Sequence, residues 1–403
     1  MFLSKKYLKL IIFFSLLIPF SFKFLNFNYK IIKHIYFSSP LFFNKNKICK
    51  DYDLLVKNSF DDTFSVSIID QNGSIISEYN QNRLRIPASN IKLFSTAYIL
   101  SKYNIFDNIT TSIYIDKNNN LYLHGSGDPD FSIQDFDKLL KSIRYSNKIN
   151  LSLFEINNDL KWPKGWTNSD KLFNYGSPLT SLAINSNEDV NKDINFLFTR
   201  TYNYLRSKYP QSKIDISIRE YMDFDKNDLK IIKEINSNPI ISLITLINSE
   251  SHNFTAEILF KNASKSWGSN DYSSLKYWLR NKGLPVKNIK ISDASGLSRD
   301  NLITTKLIAS FLHKMKYNYK FNSYNSSLSI IGIRGTLAKR LKNNDIKGKF
   351  FGKTGTLSNV FALSGYLYKD NGPITISIIQ NSSRISPNKV FKFLSDIYLL
   401  KTC

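Results

Sequence analysis

Strand-forming patterns lie near both ends of this chain, and helix-forming patterns lie between them. Near the start, FSVSIID (residues 64–70) and SIISEYN (residues 74–80) alternate apolar and polar residues around an Asn-Gly pair, the pattern of a β-hairpin. Near the end, FFGKTGTLSNVFALSGYLYKD (residues 350–370) and ITISIIQNS (residues 374–382) flank a second Asn-Gly pair. We predict an α+β fold in which one antiparallel sheet takes strands from both ends of the chain and is flanked by helices.

A helix is predicted directly after the first hairpin, in RIPASNIKLFSTAYILSKY (residues 85–103). Pro87 blocks a helix before it, Ser89 stands at an N-cap position, and Ile91, Phe94 and Tyr98 form an apolar face. The first turn of this helix would therefore carry Ser89 and, three residues on, a lysine. A closing amphipathic helix is predicted in ISPNKVFKFLSDIYLL (residues 385–400).

Amino-acid composition and residue patterns divide the chain into four parts. Residues 105–237 contain short strand-like pieces between Asn-, Asp- and Ser-rich turns, which predicts an inserted β-rich domain. The flanking residues 51–104 and 238–403 would form the main domain. Residues 1–28 contain three lysines before the apolar run LIIFFSLLIPFSF, and residues 29–50 look like a linker. The run is short for a membrane span, so we interpret residues 1–28 as a secretory signal or an uncleaved N-terminal anchor, and expect export to the periplasm or cell envelope.

The charge and the cysteine content limit which binding partners, metals and disulfides we expect. The formal net charge is +23, which favours collection at an anionic surface such as the cell envelope. No long Lys/Arg block and no recognised nucleic-acid module is present, so we expect no nucleic-acid partner. The two cysteines, Cys49 and Cys403, could form a disulfide or remain free thiols. Two distant cysteines and four scattered histidines make no metal-ligand spacing, and we expect no metal or cofactor.

Three short motifs follow one another: Ser89-x-x-Lys92, Ser251-His252-Asn253 and Lys353-Thr354-Gly355. The first two are weak alone, because S-x-x-K recurs where serine is simply a good helix cap. Their order and placement carry more weight, since the first begins a helix after a hairpin and the third lies on a predicted strand. Lys92 would lie one helical turn from Ser89, on the same face. A serine hydroxyl needs such a base, and lysine serves only if its pKa falls from about 10.4 to near neutral, which costs roughly 4 kcal/mol.

With these motifs the chain resembles the low-molecular-mass penicillin-binding proteins of the D-alanyl-D-alanine carboxypeptidase/endopeptidase type, for which this motif set is known. RIPASNIKLFSTA, HGSGDPD (residues 124–130), YGSPLTSLAINSN (residues 175–187), SDASGLSRDN (residues 292–301) and RGTLAKRL (residues 334–341) are also similar to family segments. The resemblance spans about residues 55–385 and implies the penicillin-binding-protein/β-lactamase-like transpeptidase fold. The stretch between the first two motifs is shorter than in members that carry two inserted domains.

The resemblance implies a role for each motif residue. Ser89 is the nucleophile, Lys92 its base, Ser251 the proton relay to the leaving group, and Asn253 a holder of the substrate amide. Lys353 would supply a cation that depresses the pKa of the base and attracts the substrate's carboxylate.

The remaining implied roles concern the substrate. Thr354, Gly355 and Thr356 would line its binding strand, and the backbone N–H groups of Ser89 and Thr356 would form an oxyanion hole. Asp128 and Arg299 would hold the free amino and carboxyl groups of a diamino acid, although a turn aspartate and a solvated arginine explain them equally well. His252 occupies a position that is often Asp in the family. Without a G-x-S-x-G elbow we interpret it as no more than a pocket wall.

The expected function is therefore a serine-type D-Ala-D-Ala carboxypeptidase or endopeptidase that acts on peptidoglycan stem peptides through an acyl-enzyme and binds β-lactams covalently. A serine β-lactamase of the same fold is the nearest alternative, but no convincing deacylating Glu loop is present. A non-catalytic wall-binding homologue is a second alternative, and the complete motif set argues against it.

Overall fold

The computed structural model describes residues 48–189 and 191–401. Among these residues no helix is both long and apolar enough to cross a bilayer. The predicted signal or anchor and almost all of the predicted linker lie outside the described residues. Cys49 is disulfide-bonded, and Cys403 also lies outside the described part.

A six-stranded antiparallel sheet forms the centre of the fold. Its strands follow the order β2-β1-β11-β10-β9-β8. Their bounds are β1 Phe64–Ile69, β2 Ile75–Tyr79, β8 Ser329–Ile330, β9 Phe350–Leu357, β10 Val360–Lys369 and β11 Gly372–Asn381. The two chain ends meet where β1 pairs with β11, with Phe64 opposite Gln380. The prediction of one sheet built from both ends is confirmed.

Helices cover both faces of this sheet. One face packs against α1 (Lys50–Ser59) and α10 (Pro387–Leu399), and the other faces a larger group of helices. That group comprises α2 Lys92–Lys102, α5 Ile240–Ser249, α6 Asn253–Ser264, α7 Ser273–Asn281, α8 Thr305–Met315 and α9 Phe321–Ser326. Strand alternation explains the two cores, because Phe64, Val66 and Ile68 pack in the α1/α10 core while the intervening Ser67 hydrogen-bonds Thr305 on α8 at 3.2 Å.

Residues between α2 and α5 build a second sheet of mixed direction, ordered β6-β5-β4-β3-β7. Its strands are β3 Thr110–Ile115, β4 Leu121–His124, β5 Lys148–Glu155, β6 Lys213–Glu220 and β7 Lys230–Asn236. The pairs β4/β5 and β5/β6 are parallel and therefore need crossovers, which α3 (Ile133–Lys141) and α4 (Ile194–Lys208) supply. These helices were absent from the β-rich prediction, and the domain limits at residues 105 and 237 stay a prediction.

Candidate active site

Ser89 lies on a 3-10 turn, Ala88–Ile91, and α2 begins only at Lys92. The predicted N-cap role is wrong, because no side-chain capping bond forms at this turn. The turn is fixed to the sheet, since Asn90 Nδ2 donates to Ser364 Oγ on β10 at 3.1 Å. On β9, a Cβ at Gly355 would lie 3.0 Å from the Ser89 nitrogen, so glycine lets the strand approach the turn closely. The Ser89 side chain is left free for other contacts.

The Lys92 amine lies in a cluster of three oxygen atoms. Its Nζ is 2.5 Å from the Ser295 carbonyl oxygen, 2.6 Å from Asn253 Oδ1 and 3.0 Å from Ser89 Oγ. The first two oxygens can only accept hydrogen bonds, so they use both hydrogens of a neutral amine. Its lone pair then faces the Ser89 hydroxyl, which is the arrangement a general base requires.

The orientation of the Asn253 amide follows from a second contact. Asn253 Nδ2 donates to the backbone carbonyl of Tyr175 at 2.9 Å. Because a carbonyl accepts only, the nitrogen must face Tyr175 and the oxygen must face Lys92.

Burial makes Lys92 a usable base. Its side chain is fully buried, and burial lowers the pKa of Lys92 to about 7, while the nearby carboxylates of Asp293 and Glu257 oppose that fall. We expected Lys353 to supply a depressing cation. Burial is instead the leading cause of the low pKa of Lys92. Burial, and after it the charge of Lys92, lowers the pKa of Lys353 well below its usual value.

Ser251 and Asn253 come from the junction between α5 and α6. Ser251 has a left-handed backbone conformation (φ +68°), and its Oγ donates to Ser89 Oγ at 3.1 Å. His252 occupies the N-cap of α6, where its Nδ1 accepts from the Thr255 N–H at 3.3 Å. Burial lowers the pKa of His252 to about 4. His252 therefore shapes the turn that presents its two neighbours.

The third motif lies on β9. Lys353 is fully buried, and its Nζ donates to the Thr354 carbonyl at 3.0 Å. Thr354 is partly exposed and hydrogen-bonds Thr336, and the Thr356 side chain is exposed. β8 pairs only with Phe351 and Gly352, so among the described residues no strand pairs with residues 353–357 on that edge.

The two predicted specificity residues have polar partners outside the Ser89 cluster. The Arg299 guanidinium forms an ion pair with Asp170 at 2.7 Å. Asp128 is nearly buried and accepts the Asp130 N–H at 3.0 Å, and burial raises the pKa of Asp128 to about 6. Neither side chain hydrogen-bonds Ser89 or Lys92 within the described residues. Arg299 thus meets Asp170, which the sequence reasoning missed.

Sequence reasoning also missed the two carboxyl groups that interact electrostatically with Lys92. Glu257 lies one turn along α6 from Asn253. Asp293 lies in the family-like segment SDASGLSRDN, in which a role was assigned only to Arg299. The helical spacing from Asn253 to Glu257 was a usable signal, because residues four apart share a helix face. The described part of the chain holds no group of three or more His, Cys, Asp or Glu side chains suited to a metal ion.

The chain is similar to known carboxypeptidases in sequence and to a penicillin-binding protein in fold. The profile of the D-Ala-D-Ala carboxypeptidase 3 (S13) family matches residues 60–196 and 212–393. A D-alanyl-D-alanine carboxypeptidase from Actinomadura sp. is 28% identical over 167 residues, which cover 39% of this chain and only 31% of that protein. The penicillin-sensitive carboxypeptidase A of Dictyostelium discoideum is 23% identical over 442 aligned residues, covering 82% of this chain and 85% of the relative.

A solved structure shows the same fold. The crystal structure of penicillin binding protein 4 from Haemophilus influenzae superimposes with a TM-score of 0.72 at 18% identity, and covers 87% of this chain and 99% of that one. The predicted fold class is thereby confirmed. Since the family profile extends over most of the chain, this protein belongs to the D-Ala-D-Ala carboxypeptidase 3 (S13) family.

Proposed function

We propose that this protein is a serine D,D-peptidase that cleaves the D-Ala-D-Ala bond, or the equivalent cross-link, of peptidoglycan stem peptides. One observation carries the proposal: two obligate acceptors, Asn253 Oδ1 and the Ser295 carbonyl, occupy both hydrogens of a buried amine whose third neighbour is the Ser89 hydroxyl. Family membership agrees with this chemistry.

In the acylation step, Ser89 Oγ attacks the carbonyl carbon of the penultimate D-Ala while Lys92 Nζ accepts the hydroxyl proton. The tetrahedral intermediate collapses with cleavage of the C–N bond. The departing amine takes the proton held by Lys92, relayed through the Ser251 hydroxyl, which lies 3.1 Å from Ser89 Oγ. Water then attacks the ester, again with Lys92 as base, and releases the shortened peptide. No metal or cofactor enters these steps.

The negative oxygen of the intermediate would be held by the backbone N–H groups of Ser89 and Thr356. The close approach of Gly355 to the Ser89 nitrogen supports this role, because it brings β9 beside the serine turn. Each such donor typically contributes about 2.7–4 kcal/mol to transition-state stabilisation.

The substrate peptide would bind along the edge of β9 that faces away from β10, where residues 353–357 have no partner strand among the described residues. The Thr354 and Thr356 hydroxyls would contact the terminal carboxylate, and the buried Lys353 would support them from below. Arg299 would bind a carboxylate of the diamino acid, and Asp128 its amino group. The Arg299 side chain is 32% exposed although it pairs with Asp170, which leaves part of it accessible to a ligand carboxylate.

The protein would act outside the cytoplasm, in the periplasm or cell envelope, delivered by its N-terminal segment. Its formal charge of +23 favours attraction to anionic envelope polymers.

The test is covalent labelling with a fluorescent penicillin, because a β-lactam acylates the same hydroxyl. Wild type should give a stable labelled band, and Ser89→Ala should give none. Ser101→Ala is a matched control, since this serine lies at the far end of α2 and its hydroxyl donates to Tyr98 O. An unlabelled wild type, or undiminished labelling of Ser89→Ala, would refute the proposal. A rapidly released label would favour a β-lactamase instead.

A further inference from the structure

Two fully buried carboxyl groups, those of Glu257 and Asp293, interact electrostatically with Lys92. Glu257 Oε1 accepts the backbone N–H groups of Ala294 at 3.0 Å and Ser295 at 2.8 Å, and its Oε2 accepts the Tyr272 hydroxyl at 2.8 Å. Ser295 is the residue whose carbonyl receives a hydrogen from Lys92. Glu257 and the catalytic amine therefore bind the two ends of the same residue, Glu257 its N–H and Lys92 its carbonyl.

Asp293 organises the same loop. Its oxygens accept the backbone N–H groups of Gly296 at 2.8 Å and Ser298 at 2.6 Å, and the Asn301 side chain at 2.7 Å. It also accepts the indole N–H of Trp166, at 2.9 Å, from the segment that follows β5. These four contacts fix the 293–298 loop and join it to the segment that follows β5.

We propose that Glu257, together with Asp293, is a positioning residue that holds Ser295 with its carbonyl against Lys92 and whose negative charge, with that of Asp293, opposes the neutral form of this base. The inference rests on the proposed function. It deepens that function by giving it a pH control that does not touch the substrate.

The charges around the pair give the sign of the effect. Burial disfavours the ammonium form of Lys92, and the two carboxylates favour it. Burial and the neighbouring Asp293 raise the pKa of Glu257 to about 7, so Lys92 and Glu257 titrate in the same range and as a coupled pair. The other titratable groups facing these two side chains are Lys353 on β9, His252 at the start of α6, Lys261 on α6 and Tyr272 before α7.

The test removes the negative charge of Glu257 and keeps the shape of its side chain. In Glu257→Gln the amide oxygen can still accept the Ser295 N–H, but the negative charge is lost. The neutral form of Lys92 should then persist to lower pH. The acidic limb is the pH range in which the rate of acylation by penicillin falls because Lys92 gains a proton. We expect this limb to move down by about one pH unit.

Glu155 provides a matched control. It is a nearly buried carboxyl group on β5 that also accepts backbone N–H groups, from Ser181 at 2.8 Å and Ile156 at 2.7 Å, and burial raises its pKa. Glu155→Gln should leave the acidic limb in place. If Glu257→Gln does not fold, Tyr272→Phe tests the same point, because loss of its hydroxyl raises the pKa of Glu257 and should shift the limb in the same direction by less.

The outcomes separate the two proposals. A wild-type protein that is not acylated overturns the proposed function and this inference with it. A wild type that is acylated, together with a folded Glu257→Gln whose acidic limb does not move, overturns this inference alone. An equal shift in Glu155→Gln also overturns it, since the effect would then be unspecific.

Discussion

Replacing Gly296 with alanine should displace the nucleophile without changing any group that takes part in the chemistry. Gly296 has a left-handed φ of +83°, and a Cβ at this position would lie 2.0 Å from the carbonyl oxygen of Ala88 and 2.9 Å from the nitrogen of Ser89. Both contacts are to backbone atoms, which cannot rotate away as a side chain can. The serine turn or the 293–298 loop must therefore move.

The magnitude follows from the overlap. Real Cβ contacts essentially never fall below 3.0 Å, so the 2.0 Å contact requires a displacement of about 1 Å. A misplacement of about 1 Å at a reacting group can lower a rate by roughly 100-fold. The unfavourable backbone conformation adds about 1–3 kcal/mol of destabilisation. We expect Gly296→Ala to lose stability and to be acylated by penicillin about 100-fold more slowly.

Gly372→Ala separates the two effects. Gly372 also has positive φ (+106°), but a Cβ at this position would meet nothing closer than the Gln71 Cβ at 3.7 Å. This variant should lose stability and keep its acylation rate. Urea unfolding and the second-order acylation rate of both variants provide the comparison. Acylation of Gly296→Ala at the wild-type rate would contradict the argument, and so would an equal slowing in Gly372→Ala.

Three further predictions concern the base, its partner and the core. Acylation should fall as the pH drops below about 7, because the Lys92 amine then gains a proton; a rate independent of pH between about 5 and 8 would argue against Lys92 as base. Asn253→Asp places a carboxylate oxygen against the Tyr175 carbonyl and a negative charge beside Lys92. This charge favours the ammonium form of Lys92, so the acidic limb should move to higher pH in the same kinetic assay, and a shift to lower pH would contradict this. Phe311→Ala, at a fully buried site, should lower the free energy of unfolding in urea by about 3–5 kcal/mol, whereas Phe106→Ala at a 75% exposed site should change it by about 0.5 kcal/mol or less; equal losses would contradict the core assignment.

Local patterns were sufficient for the main sheet and for the helix after its first hairpin, but not for the helices α3 and α4 of the inserted region. The Asn-Gly turns with alternating strands predicted the hairpins β1/β2 and β10/β11, and both are present. The helix after Pro87 was also predicted, because its apolar spacing is periodic. The exact start was not, since the choice between an N-cap and a 3-10 turn at Ser89 depends on contacts with Ser364 and Gly355 on the sheet.

The sequence by itself determined that a serine and a lysine one turn apart begin a helix beside a sheet strand, because that follows from local spacing and order. Only the tertiary structure decided what surrounds the lysine amine. Its partners Asn253 and Ser295 are 161 and 203 residues away along the chain, and Arg299 pairs with Asp170 across 129 residues. Hydrogen-bond partners at such separations are selected by packing and burial, and no local pattern encodes them.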